Sequence, residues 1–482
     1  MLALPPLGLV VLVIAALASP DRLAYLARLL DPSVIATLFV VELVVLGWRL
    51  VASADAFRRG EGRVGGRASA LSALGVALVL VPSVYAAYLT QVAYESAASI
   101  FSAVETPRPS GPTATPEPDP SNIAMETGSP APSIAPGSGR FTVLFIGVDW
   151  QPGRNTFLTD TMIVGSLDPV SNAVSMVSMP RDTVDVPLGD GRVFRGKINS
   201  LVAYVRNHPK QFPDAPSGET VLANALGTLL GVKVDGWVEV NMPGFIDVVD
   251  SLRGINVTVD DGFCDPTYHG PGFPDGFSIT VGRWHLDGEE ALAYARVRKA
   301  SGESDFTRAA RQQEVVVAIR DRVVSGGFVN DPVRFIRSFR NLVRTSLAPA
   351  RLIPFVDTLS KITRDHVFRA VITYPLVHYQ AGDPRGWVIV PRLDKIRELG
   401  ARAFPTAGTL PTGLDTIPPD DGAPKKGSPT SCAPAPKPTP KPTPTPAPTL
   451  APSVEPTAAP TAEPTVESTP APSAAPTPDA SA

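Results

Sequence analysis

Cysteine is almost missing from this chain: its 482 residues hold two. That excludes a disulfide-dense scaffold and any Cys-ligated zinc framework. Histidine is scarce too. The five, at 208, 269, 285, 366 and 378, show no ligand spacing and read as surface or core histidines. Neither sign of charge dominates, with 43 Lys+Arg against 46 Asp+Glu and a net charge of -3. A general nucleic-acid binder is thereby excluded. Charged residues make up 18%, below the roughly 25% of a soluble domain. GxxxxGK[ST], GxGxxG after a strand, HExxH and GxSxG are all lacking, and no internal repeat is present. The glycosylation acceptor Asn256-Val257-Thr258 lies inside a strand-like run and is read as a chance match.

Proline is abundant, at 53 residues, and its distribution divides the chain into unlike compositions. Residues 1–102 are apolar. Residues 103–139 and 404–482 are rich in Pro, Thr, Ser and Ala and hold about 31 of the prolines. Such segments bury too little apolar surface to offset their ordering entropy, so they read as a semi-stiff linker and a disordered tail. The tail's conceivable tasks are crossing a cell wall or carrying sugars. The remaining 140–403 are enough for one domain with a full core.

Three apolar runs, 5–18, 34–52 and 68–92, predict a transmembrane region of about three helices. The second and third are long enough for about 30 Å of hydrocarbon. The first, shorter run has a signal peptide as its rival reading, disfavoured because no basic residue precedes it. Arg58, Arg59, Arg63 and Arg67 fill the hairpin between the last two runs. The positive-inside rule puts that hairpin in the cytoplasm and everything after about residue 93 outside. Cys264 and Cys432 would then both face an oxidising side, which leaves a disulfide open.

In the middle, FTVLFIGV, TMIVGSLD and AVSMVSM read as strands, ETVLANALGTLLG as a helix stopped by glycine, WVEV as a strand and PGFIDVVDSLRG as a helix. INVTV is a further strand, and 306–327 a long helix. Helices are expected at 331–346 and 349–362, then strands VFRAVITY and WVIV, and a closing helix at 391–403. The alternation implies an α/β domain with a mixed sheet covered on both faces.

The chemistry-bearing residues gather where strands end. Asp149 follows the first strand, Asp160 precedes the second, and Arg181 and Asp182 follow the third. Ligands in α/β sheets bind outside the carboxyl ends of strands, so these are well placed if their strands run parallel. Lys197 and Asn199 open the next helix. In LAYARVRK, Arg296 and Arg298 lie two apart, a spacing that shares a face only on extended chain, so the helix should end near Tyr294. In SDFTRAARQQ, Asp305 precedes Arg308, Arg311 and Gln312, which share one helix face. Arginine forks suit phosphate oxygens, and carboxylates among them suit Mg²⁺. Together these are the parts of phosphoryl transfer, with a solvated, salt-bridged surface as the competing reading of the same charges.

The segments FTVLFIGVD, TDTMIVGSLDP, VSMPRDTVDVP, KINSLVAYV, WVEVNMPGFIDVVDSLRGINVTV, LDGEEALAYARVRK and DFTRAARQQ occur in an order that resembles the LytR-CpsA-Psr family of bacterial envelope proteins. The likeness covers about 140–325. It implies an α-β-α sandwich with an apolar pocket for a polyprenyl chain. It implies a Mg²⁺-dependent enzyme of the cytoplasmic membrane, its catalytic domain extracytoplasmic, that moves a glycopolymer from a polyprenyl-pyrophosphate carrier to peptidoglycan. By the same resemblance, Arg181, Arg296, Arg298, Arg308 and Gln312 would hold the pyrophosphate, with Lys197 and Arg311 beside them. Asp149, Asp160 and Asp305 would serve as metal ligands and general base. Phe245, Ile246 and Val249 could line the lipid pocket, though ordinary core is their stronger reading. Two departures stand out: Leu158 where the family pattern has arginine, and Trp150-Gln151 where it often has another, with Arg154 as a substitute cation. A hydrolase of lipid pyrophosphate and a non-catalytic wall-binding scaffold are the competing functions.

Overall fold

A computed structural model describes residues 139–149, 157–338, 343–348, 358–417, 423–425 and 427–432, parts of 36–96, and a strand at Ile123–Met125. The apolar run 5–18 and the tail beyond 432 lie outside the described residues. The described parts of 34–52 and 68–92 are helical and expose Val40, Val44, Trp48, Val81 and Val84. Among the described residues no helix is long and apolar enough to cross a membrane.

The domain is built on a seven-stranded mixed sheet. Its strands are β1 (Phe141–Val148), β2 (Thr159–Asp168), β3 (Ala173–Ser178), β4 (Gly236–Asn241), β5 (Val343–Thr345), β6 (Val367–Val371) and β7 (Asp415–Thr416). Their order is β5-β4-β1-β2-β3-β6-β7. β4 lies parallel to β1, and β6 parallel to β3, while β2 runs antiparallel to both its neighbours. Hence β1, β3, β4 and β6 all point the same way. That meets the condition on which the strand-end site depended.

Among the described residues, these helices accompany the sheet: α1 (Leu201–Asn207), α2 (Gly218–Leu230), α3 (Met242–Ser251), α4 (Gly288–Arg296), α5 (Asp305–Val324), α6 (Pro332–Ser338) and α7 (Leu393–Ala403). One sheet face packs Leu144, Ile146, Met162, Val164 and Val177 against Tyr204, Leu222, Leu226, Ile396 and Leu399 of α1, α2 and α7. The other packs Val143, Ile163 and Met176 against Val317 of α5. The strands are covered on both sides, which is why they read as near-continuous apolar runs. A further cluster joins α3, α4 and α5 to the antiparallel pair Ile255–Val259 and Gly282–Leu286.

Local chemistry sets the helix starts. The Ser217 hydroxyl accepts from Thr220 N at the start of α2, and Asn241 Oδ1 accepts from Gly244 N at the start of α3. Asp287 with Glu290, and Ser304 with Thr307, close capping boxes on α4 and α5.

Two expectations change. The helix expected over 331–346 ends at Ser338, and β5 follows. Thr345 Oγ1 donates to Trp237 O at 2.7 Å, and the edge of β4 supplies backbone partners that a lone helix pattern cannot anticipate. The chain after 403 also stays on the domain. β7 pairs with β6, Ile417 is buried, and Cys432 is disulfide-bonded to Cys264. Of the helix expected at 349–362, residues 358–361 are helical and 349–357 lie outside the described residues.

Candidate active site

The strand directions bring the charges to one edge. Asp149 follows the carboxyl end of β1, and Arg181 lies just past that of β3. Asp160 is the second residue of antiparallel β2, so it begins at the same edge. Asp149 N donates to Leu158 O at 2.9 Å, drawing the two strand ends together. The N-terminus of α5 and the end of α4 complete the site. α4 continues to Arg296, two residues past the expected end at Tyr294, and Val297 beyond it is extended (φ -55°, ψ 136°).

The side chains form a cluster of alternating charges, with Arg296 and Asp149 as a separate pair beside it. Arg181 reaches Asp160 at 2.9 Å, Asp182 at 3.6 Å and Asp305 at 3.9 Å. Asp305 also meets Arg308 at 3.2 Å and Arg298 at 3.9 Å. Lys197 holds Asp182 at 2.7 Å, and Arg296 holds Asp149 at 3.2 Å. Asn199 N donates to Arg181 O, fixing the KINS segment to the arginine turn. Five cations face four carboxylates.

Burial is uneven across the cluster. The Arg308 side chain is 6% exposed, and Arg298, on the rim, is 36% exposed. Burial pushes the Arg308 guanidinium below its ordinary range, against the pull of Asp305 and Asp160. Burial acts the same way on Arg181, but there Asp160, Asp305 and Asp182 outweigh it and raise the value. Arg181 Nε, Arg308 Nε and Asp305 Oδ1 are buried without a hydrogen-bond partner among the described residues. Unmade hydrogen bonds in a buried charged site are costly. The nearest charges to these atoms are ion-pair partners: Arg181 Nε lies 3.6 Å from Asp182 and 3.9 Å from Asp305, and Asp305 Oδ1 lies 3.2 Å from Arg308.

Arg311 and Gln312 point elsewhere. Arg311 donates to Val297 O, pairs with Glu303 at 2.9 Å and lies over the Phe263 ring at 4.4 Å. Gln312 Nε2 donates to Ala295 O at 3.3 Å. Both brace the backbone that carries Arg296 and Arg298. Val249 is buried in the α3–α4–α5 core with Phe245 packed on it, and Ile246 is half-buried. Leu158 is half-buried beside Asp160, while Trp150, Gln151 and Arg154 lie outside the described residues.

Sequence reasoning missed the supports of this site. Asp265 Oδ2 accepts from Lys299 N at 3.2 Å, one residue past Arg298. Tyr268 is buried beside Arg296; burial pushes its phenol up, and the arginine partly offsets this. Both residues sit in short strands and turns between 263 and 279, where no long periodic run marks them.

Among the described residues, no group of three or more His, Cys, Asp or Glu forms a metal cage. The donor set still fits Mg²⁺, which binds through one or two carboxylates and takes its other ligands from phosphate and water. Asp149, Asp160 and Asp305 supply such carboxylates.

The LytR_cpsA_psr family matches residues 116–383. The chain is 35% identical over 210 residues to the polyisoprenyl-teichoic acid–peptidoglycan teichoic acid transferase TagU of Bacillus subtilis, covering 43% of this chain and 60% of that protein. It is 28% identical over 233 residues to the TagU of Enterococcus faecalis, covering 47% and 65%. The chain thus spans about three fifths of the length of these relatives. The crystal structure of B. subtilis TagV aligns at 26% identity and a TM-score of 0.43, over 55% of this chain and 96% of that one. With the match covering more than half of its length, this chain belongs to the LytR_cpsA_psr family.

Proposed function

We propose that this protein is a membrane-anchored phosphotransferase that moves a glycopolymer from a polyprenyl-pyrophosphate carrier to peptidoglycan. The observation that carries the reading is the arginine cluster at the carboxyl edge of the sheet, in which Arg181 Nε and Arg308 Nε are buried without a hydrogen-bond partner among the described residues. The relatives named as teichoic acid transferases support the same reading. The long apolar runs support the anchor. The disulfide supports an oxidising, extracytoplasmic setting for the domain.

In the transfer, a hydroxyl oxygen of the acceptor bonds to the phosphorus that carries the glycopolymer. The bond from that phosphorus to the bridging oxygen breaks, and its electron pair leaves with polyprenyl monophosphate. The hydroxyl proton passes to a carboxylate, for which Asp305, at the N-terminus of α5 among the arginines, is the candidate. Arg181, Arg296, Arg298 and Arg308 bind the pyrophosphate oxygens, and their stabilisation grows as negative charge collects on the leaving group. Mg²⁺ held by the aspartates and the substrate's own oxygens would add positive charge at that leaving phosphate.

The test is transfer of a radiolabelled glycopolymer from its lipid carrier by the full-length protein in detergent. Label should move to peptidoglycan only when acceptor and Mg²⁺ are both present, and a chelator should abolish transfer. Equal release of label without acceptor would make the protein a hydrolase. Full turnover in chelator would remove the metal from the mechanism.

A further inference from the structure

Beside the charged cluster stands a hairpin that the transfer chemistry does not use. Its strands, Val377–Asp383 and Gly386–Pro391, pair antiparallel. Tyr379 and Trp387 project from it, 42% and 43% exposed, with rings nearly parallel (14°) and centroids 5.8 Å apart. The Tyr379 hydroxyl is fixed by Thr373 Oγ1 at 2.9 Å and accepts from Tyr374 N at 3.1 Å. Tyr374 itself is 66% exposed. An oriented, solvent-facing aromatic pair is unusual, because large apolar faces left in water commonly mark a binding surface.

The hairpin is joined to the charged cluster at two points. Tyr379 packs on Phe306 with centroids 5.6 Å apart, and Phe306 is the residue after Asp305. Ile389 N donates to Asp182 O at 3.1 Å, on the residue after Arg181. Tyr379 thus touches the residue next to Asp305, and the hairpin backbone bonds directly to Asp182.

Resting on the transferase reading, we propose that Tyr379 and Trp387 form a stacking platform for the glycan strand of the acceptor, a hexosamine polymer. A pyranose ring presents one face of axial C–H groups, which packs on flat aromatic rings, while its hydroxyls stay in water. Tyr379 and Trp387 are stacked, and the half-exposed Trp387 leaves ring surface open to such packing. The attacking hydroxyl must approach phosphorus from outside the arginine clamp, so the sugar bearing it has to rest on the rim. His378 and Gln380, the strand neighbours of Tyr379, are exposed on the opposite face, where Arg392 Nε lies 2.8 Å from His378 Nε2.

The test is binding of three probes to the full-length protein in detergent: peptide-stripped peptidoglycan glycan strands, inorganic pyrophosphate and anionic phospholipid vesicles. Trp387→Ala should weaken glycan-strand binding at least tenfold and leave pyrophosphate binding unchanged. Trp387→Phe, which keeps a flat ring, should retain most glycan binding. Arg298→Ala should do the reverse, losing pyrophosphate and keeping glycan. If Arg298→Ala keeps both while Trp387→Ala loses glycan, the clamp fails and the platform stands. Unaltered glycan binding in Trp387→Ala, or none in the parent protein, overturns the platform. Loss of vesicle binding alone in Trp387→Ala overturns it in favour of a membrane contact.

Discussion

Arg140 and Arg298 carry the same charge into opposite settings. The side chains of Arg140 and its partner Asp168 are 0% exposed, and the guanidinium is further bonded to Ser166 and Ser175. That arginine is satisfied and structural. Arg298 is partly exposed, and its partner Asp305 is 3.9 Å away, too far for a hydrogen bond. A loose exposed pair adds little stability, whereas a fork aimed at a leaving phosphate acts on the transition state. Arg298→Ala should therefore lower the transfer rate by about 10²–10³, the usual loss for one such donor, with the thermal midpoint nearly unchanged. Arg298→Lys should recover part of the rate, because a point charge cannot reproduce the fork. Rate and melting measured on both variants decide the matter: a parallel fall in both, rescued by Lys, would make Arg298 a structural brace. The arginines were legible as a group because their spacing is local. Arg311 shows where that ends. Residues three and four apart share a helix face, but spacing does not say that the Arg311 guanidinium turns to Val297 O and Glu303.

Elements were legible wherever an apolar period ran long. The span of α5 was expected at 306–327 and is Asp305–Val324. β5 was not, since its identity as a strand comes from the free edge of β4 rather than from its own three residues. Sheet direction was a condition in the sequence and a fact only once the ladder pairs existed. Close approach between helices was likewise invisible. A Cβ on Gly400 of α7 would collide with the backbone of Leu230 at the end of α2. Overpacking costs about 1–3 kcal/mol, while the better helix propensity of alanine returns at most about 1 kcal/mol. Gly400→Ala should thus lower the thermal midpoint by several degrees. A raised midpoint would show that α7 slides freely over α2.

At the scale of the molecule, composition marked where the apolar region gives way to the Pro-rich segments, but not where the domain lets go of the tail. Pro-rich sequence lowers the expectation of order for every residue in it, and so hides the few anchors. Those anchors are specific. Ser278 and Thr430 exchange two backbone hydrogen bonds, Lys425 N donates to Arg283 O, and Cys432 is bonded to Cys264. The strapped region 263–283 is also the one that holds Lys299 N through Asp265, so strap and arginine segment belong to one body. Under the proposed topology that body lies outside the cell, tethered by 103–139, a stretch rich in proline. Exposed polar segments of this kind are the preferred sites of proteolytic nicking. Protease added to intact cells should therefore cut the tether near 103–139 and release a soluble fragment that retains Cys432. The fragment's mass, read before and after reduction, checks both ends. A chain that stays whole until the cells are lysed would place the domain on the inner side, away from peptidoglycan, and the proposed acceptor would fall with the topology.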